Sequence, residues 1–409
     1  MNLDRWLYKI HGDRQCFKRY ENSVPMARRF HVNVYLLSFS AFFADMGYQI
    51  VVGGLSVFLV LVLHAPIWVF ALIEAFSYGI GSVFSYIGGK LADRFDPKKL
   101  SIIGNSLIPI LSFTGILRNY AAAGSLYVSG WWSRNFRAPP RRILMIESTS
   151  REERTNAFGL LHGLDVGGGV IASVFLITMY SVGIPFSLIF IVSIIPLVVS
   201  TLLISLTRKT KRETVDESRP VEKSAGQTYF SILFATALFG FSYYSVGFPI
   251  LTAAQDSSSI LYGLLVYPIF MGTSAAGGFI YSRIRAKREI PILGLFGYIL
   301  SGFAALGIFL ILFLHAPFEY FYLSALILGL GTSAIETFEP SIVSRIVRGS
   351  KAGSAMGKLS FFRSIGMFSG NIIVGLLYLI SPEYSYLYAA SVAVIGGLSV
   401  LIAGRNFRG

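Results

Sequence analysis

Apolar stretches of about 20 residues or more, the length a helix needs to cross a bilayer, alternate along the chain with short breaks rich in Gly, Pro and charge. They fall at residues 32–62, 66–88, 100–118, 121–146, 155–180, 184–206, 227–252, 258–282, 291–314, 318–345, 353–379 and 384–404. Backbone polar groups in hydrocarbon must be satisfied within their own segment, which selects helices. The pattern therefore predicts an all-α membrane protein of about twelve transmembrane helices. Residues 208–226 are the most polar interior stretch and read as a linker. The expected organisation is an arm at 1–30, a six-helix bundle at 31–207, the linker at 208–226, a second bundle at 227–404 and a tail at 405–409.

Composition supports lipid as the solvent. Of 409 residues, 54% are hydrophobic and 14% charged, against roughly a quarter charged in soluble domains. Charge then adds orientation. The net +14 is carried by alternate loops, as in Arg94, Lys98 and Lys99, or Arg208, Lys209, Lys211 and Arg212. Loops 63–67, 181–185, 252–258 and 380–385 carry no Lys or Arg. This is the positive-inside pattern, and it predicts a multi-pass protein of the plasma membrane with both termini and the linker in the cytoplasm. A nucleic-acid footprint would be a contiguous basic patch on a soluble face, so no nucleic-acid partner is expected. The single cysteine, Cys16, leaves no disulfide framework and no cysteine metal site. Residues 1–30 lack the apolar core of a cleavable signal peptide.

The halves resemble each other. Residues 40–48, Ser-Ala-Phe-Phe-Ala-Asp-Met-Gly-Tyr, align with 236–244, Thr-Ala-Leu-Phe-Gly-Phe-Ser-Tyr-Tyr. Gly88 aligns with Gly277, Pro140 with Pro340 and Gly159 with Gly357, in the same order and at similar offsets. Such parallel repeats place a binding site between the halves near mid-membrane and permit alternating access by rocking.

After the second span comes Gly89-Lys-Leu-Ala-Asp93-Arg94-Phe-Asp-Pro-Lys98-Lys99. It resembles the loop signature of the major facilitator superfamily, Gly-x-x-x-Asp-Arg-x-Gly-Arg-Lys, and departs from it at Asp96 and Pro97. The resemblance implies two pseudo-symmetric six-helix bundles and a secondary transporter. It also implies a cytoplasmic gate in which Gly89 permits close helix approach and Asp93 meets the start of the eleventh helix, near residues 350–354. Arg94 and the lysines would help hold that gate shut. A second run, from Arg137-Ala-Pro-Pro-Arg141-Arg142 to Glu147 and Arg154, is similar to a subset of bacterial and archaeal members. It adds Glu147 to the gate and suggests a prokaryotic source.

Ionisable groups inside spans are costly and point to function. The resemblance implies that helices one, four, seven and ten line the cavity. Asp45 lies in the first span with Tyr48 and Gln49 beside it, and Glu74 lies alone in the second. Arg134, Arg137 and Arg141 form one stripe on the fourth span, and Glu336 and Glu339 share a face on the tenth just before Pro340, which is expected to break that helix. The seventh contributes Tyr243 and Tyr244. On one reading these groups exchange protons and hold substrate in a polar cavity. On the other, Asp45 simply pairs with Arg137. Trp131 and Trp132 either stack on a ligand or pack helices. In the fifth span, Gly159, Gly163 and Gly167 read as a packing seam. His162 and Asp165 read as a hydrogen-bonded pair, two ligands being too few for a metal site.

No phosphate-binding loop appears, so the proton gradient is the expected energy source, with no cofactor and no enzymatic activity. The expected function is proton-coupled export of small organic or amphipathic compounds by a monomer. The alternative is a uniporter or exchanger of organic anions using the fourth-span arginines.

Overall fold

The computed structural model describes residues 31–149, 154–208, 225–281, 289–346 and 352–405. The arm at 1–30 and nearly all of the 208–226 linker lie outside them, as does the loop at 282–288. Twelve long helices follow in order among the described residues. They are α1 (Val32–Val62), α2 (Ile67–Ala92), α3 (Pro97–Ile116), α4 (Tyr120–Glu147), α5 (Arg154–Ser181) and α6 (Phe186–Ser205). Next come α7 in two pieces (Ala225–Ser242 and Gly247–Asp256), α8 (Ile260–Tyr281), α9 (Glu289–Phe313), α10 (Tyr320–Ile346), α11 (Ala352–Ile380) and α12 (Pro382–Arg405). Eleven are apolar enough to count as spans by hydropathy alone. The exception is α4, whose inner half carries Arg134, Arg137, Arg141 and Arg142. A 28-residue helix with that much charge is shielded by its neighbours rather than by lipid.

Packing repeats between the halves. Helix α1 packs on α5 and α6 as α7 packs on α11 and α12, and the α2–α4 contact is matched by α8–α10. Large apolar side chains such as Phe39, Tyr86, Ile195, Phe234 and Ile402 point outward and are exposed, the surface a bilayer requires.

The ends of the helices explain their short turns. His64, Gly183, Ser258 and His315 adopt positive φ of 56°, 83°, 53° and 50° where α1, α5, α7 and α9 stop. The amides of Ile184, Ser259 and Ala316 then donate to carbonyls five residues back, at 3.1, 3.0 and 2.9 Å. This left-handed cap satisfies the last carbonyls and turns the chain at once. Asp96, one of the departures from the superfamily signature, caps α3 by accepting from the Lys98 amide at 2.8 Å, with Pro97 at the first helical position.

Three expectations are corrected here. Pro340 does not break α10, which runs on to Ile346. The residue that lets helices approach closely is Gly88, not Gly89. A Cβ on Gly88 would sit 2.2 Å from the Phe136 carbonyl oxygen, the acceptor that Pro140 leaves without its helical donor, while one on Gly89 would meet only Pro139 at 3.5 Å. The stripe Gly159, Gly163 and Gly167 is not a packing seam. Nothing among the described residues lies within 4 Å of a Cβ at any of the three, and they share the outward side of α5 with exposed Ile171 and Val174. The tight α1–α5 contact is made by Gly168, whose Cβ would fall 2.2 Å from the Phe42 carbonyl oxygen.

The halves meet mainly toward the short-turn end. There Phe70 of α2 packs on Phe248 of α7 (5.1 Å between ring centres), Ala71 approaches Gly375 of α11, and Tyr267 of α8 lies against Gly53 of α1. Toward the other end Arg142 of α4, His162 of α5 and Glu336 of α10 are exposed. Arg142 and Glu336 are within electrostatic reach of each other but form no ion pair. Among the described residues the halves touch at the short-turn end, while Arg142, His162 and Glu336 are exposed toward the end that carries the basic loops.

Candidate functional site

Between the halves lies a cavity of about 120 Å3, room for several waters or a small organic group. Its wall is aromatic. Tyr78 of α2, Trp131 of α4, Phe239, Tyr243 and Tyr244 of α7, and Tyr267 and Phe270 of α8 line it, with Gln49, Ser242, Ser301 and Thr332 as polar points. Among the described residues that line it there is no Asp, Glu, Lys or Arg. Of the expected site residues, Gln49 and Tyr244 are on this wall, and the expected carboxylates and arginines are not among the residues that line it.

The break in α7 shapes this wall. Residues 243–246 leave the helix, Ser245 turns its amide to Asn371 Oδ1 of α11 at 3.3 Å, and the Ser245 hydroxyl accepts from the Gly247 amide at 3.2 Å. Pro249 follows, needing no helical acceptor for a donor it lacks. The break turns Tyr243 and Tyr244 toward the cavity. Across the halves, the Tyr267 hydroxyl donates to Gln49 Oε1 at 2.5 Å.

In the first half, α1 and α5 run parallel and bring Asp45 beside Asp165. One turn further on Gln49 meets Gly169. The two carboxyls lie within hydrogen-bonding reach of each other. Tyr48 donates to Asp45 Oδ1 at 2.5 Å, and Arg141 Nη2 stands 3.6 Å from Asp165 Oδ1. The Arg134 guanidinium lies over the rings of Tyr48 (5.1 Å) and Trp131 (5.0 Å), joining this cluster to the cavity wall. Arg137, fully buried, donates from Nη1 to Asn105 Oδ1 of α3 at 2.5 Å. Asn105 in turn donates to Ser200 and Thr201 of α6 at 3.1 and 2.7 Å.

Two pairings read from the sequence are therefore replaced. Arg137 takes an amide of α3 as its hydrogen-bond partner instead of Asp45. Asp165 turns to Asp45 and Arg141 and leaves His162 exposed.

In the second half, Glu336 and Glu339 do share a face, and both accept from Arg363 of α11. Arg363 Nη1 reaches Glu336 Oε1 at 2.6 Å, and Nη2 binds Glu339, which also accepts from Tyr298 of α9. Arg363 escaped the sequence reading although it is the one charged residue among positions 359–380. The same cost argument that flagged Asp45 flags it too.

Glu74 is buried in α2 within hydrogen-bonding reach of Ser245. Trp131 lines the cavity, whereas Trp132 packs, stacking on Phe84 (4.6 Å) and donating to the Phe76 carbonyl at 2.9 Å. The gate residues stay near the basic end. Asp93 and Arg94 are exposed at the end of α2, and Glu147 lies in the last turn of α4. Lys98 donates to the Thr207 carbonyl at 2.5 Å, a contact within the first half rather than across the gate. The start of α11, the expected partner of Asp93, lies partly outside the described residues.

With this geometry in place, the sequence matches the Major Facilitator Superfamily over residues 37–315, well over half of the chain. The chain belongs to that superfamily. It is similar to an uncharacterised MFS-type transporter of Methanocaldococcus jannaschii, at 22% identity over 410 residues covering 95% of this chain and 98% of that one. Among solved structures it resembles a POT family transporter in complex with a thioalcohol-conjugated peptide (TM-score 0.78, 12% identity, 92% and 96% of the two chains). It also resembles a bacterial homologue of the human lysosomal transporter Spinster in an inward-facing, occupied conformation (TM-score 0.68, 14% identity, 91% and 96%). Superfamily membership makes this a multi-pass membrane protein and a secondary transporter of small molecules.

Proposed function

We propose that this transporter couples the export of small organic or amphipathic compounds to protons, with Asp45 and Asp165 as the pair that takes up and releases the coupling proton. The observation that carries the reading is the approach of those two carboxyls. They can hydrogen-bond to one another only when one holds a proton. When it leaves, Arg141, now 3.6 Å from Asp165, and Arg134 over Tyr48 are the cations that answer the extra charge. The aromatic cavity between the halves holds the solute. In this reading the solute enters from the end where Arg142, His162 and Glu336 are exposed, taken as cytoplasmic from the positive-inside pattern.

The test uses the full chain in liposomes, with cationic ethidium and anionic carboxyfluorescein as reporter solutes. A pH gradient drives flux of at least one dye in the wild type. Asp45→Asn and Asp165→Asn each abolish that driven flux and keep dye counterflow. Driven flux at the wild-type rate in either variant would end the proposal.

One observation favours a second reading, exchange of organic anions. Arg134, Arg137 and Arg141 outnumber Asp45 and Asp165, and the Nε of each has no hydrogen-bond partner. Carboxyfluorescein exchange that needs no pH gradient and is lost in Arg134→Gln would favour it.

A further inference from the structure

Glu74 is a buried carboxyl group that the proton reading leaves unused. It lies on α2 with 2% of its surface exposed, next to the break in α7. One carboxyl oxygen is within hydrogen-bonding reach of Ser245, while Oε2 has no partner at all. Tyrosines from four helices lie within electrostatic reach of it: Tyr78 of α2, Tyr127 of α4, Tyr243 of α7 and Tyr267 of α8. Among the described residues no Lys, Arg or His pairs with it. Three of those tyrosines, Tyr78, Tyr243 and Tyr267, also line the cavity. Glu74 thus lies within electrostatic reach of the cavity wall without lining the cavity itself. The hydroxyls of Tyr127 and Tyr244 are likewise buried without partners.

We infer that the cavity recognises a small organic cation, an amine or quaternary ammonium, held against aromatic ring faces with Glu74 as its counter-charge. This rests on the cavity being the solute site, as proposed above. Two independent features support it. A buried carboxylate without a partner is costly, and a cation placed in the cavity removes that cost without building a permanent ion pair. A wall of Tyr, Trp and Phe without Lys or Arg supplies aromatic rings, whose faces attract an ammonium group. Arg134 is held over Tyr48 and Trp131 and has Asp45 and Asp165 beside it, and Arg363, within electrostatic reach of Tyr243, is held by Glu336 and Glu339. An anion in the same cavity would meet those ring faces and Glu74, with no donor cation on the wall.

The experiment is calorimetric binding of three probes of similar size to the purified full chain: benzyltrimethylammonium, benzyl alcohol and benzenesulfonate. The expected wild-type order puts the ammonium at least about tenfold tighter than the sulfonate, the scale of a partly desolvated cation–π and charge contact. Glu74→Gln keeps shape and removes charge. It should weaken the ammonium about tenfold and leave benzyl alcohol unchanged. Tighter binding of the sulfonate to the wild type, which requires no variant to fold, overturns the inference. So does unchanged ammonium affinity in a folded Glu74→Gln protein. Maleimide block of Thr332→Cys, at the cavity wall, separates this inference from the reading beneath it. If the block stops flux of the dye that the wild type carries while the ammonium binds no tighter than the sulfonate, the cation is wrong and the cavity stands. If dye flux survives the block, the cavity is not the solute site and both fall.

Discussion

In each half two carboxyl groups and an arginine meet between helices, yet the first half leaves its charges unsettled while the second closes them. In the second half Arg363 is clamped between Glu336 and Glu339, and Tyr298 adds a further donor to Glu339. Every carboxylate there has a strong partner on another helix. In the first half Asp45 and Asp165 face each other, Arg141 stands slightly too far for a hydrogen bond, and Arg137 is satisfied by a neutral amide. The two bundles thus hold different arrangements, a clip that ties α10 to α11 and a cluster whose carboxyls have looser pairings. A site that must bind and release a proton each cycle requires the second kind of arrangement, since a carboxylate locked to an arginine gains little from a proton.

The largest expected effect breaks the clip. Arg363→Gln leaves Glu339, which is wholly buried, without its cation, and one-sided loss of a buried pair costs roughly 3–5 kcal/mol. Denaturant unfolding should show that loss, and Glu339→Gln added to it should restore much of the stability. A stable Arg363→Gln protein lacking proton-driven flux would move the coupling site to the second half.

Smaller effects sharpen the same contrast. Gly163→Ala, on the open face of α5, should stabilise the protein by about 0.5–1 kcal/mol through helix propensity. Destabilisation there would mean that the stripe packs against something after all. Asp93→Asn should alter the balance between open and closed forms by about 0.3–1 kcal/mol, the scale of a carboxylate at a helix start. Distances between spin labels on the two halves would reveal the change, and an unaltered distribution would remove Asp93 from the gate.

Sequence patterning alone located the helices to within a few residues, because a span must be long and apolar whatever its neighbours are. It also found the α4 arginines and the two glutamates of α10, since cost in lipid marks them. Partner choice was not legible. His162 and Asp165 are a turn apart and looked paired, but the close approach of α1 at Gly168 places Asp165 against Asp45 instead. Arg137 turned to Asn105 because α3 packs along α4, a contact without a signature in either helix. The aromatic cavity was half visible. Tyr244 and Trp131 were named, whereas Tyr78, Tyr267 and Phe270 read as ordinary apolar positions until the α7 break and the packing of α8 placed them on one wall.

The central claim is that Asp45 and Asp165 together hold the exchangeable proton. Infrared difference spectra of the purified protein between acid and alkaline pH read protonated carboxyl groups directly, without a transported solute. The account predicts a titrating carboxyl band that disappears in Asp45→Asn and equally in Asp165→Asn, and persists in Glu339→Gln. A band that survives both aspartate substitutions, or that vanishes with Glu339→Gln, would contradict it.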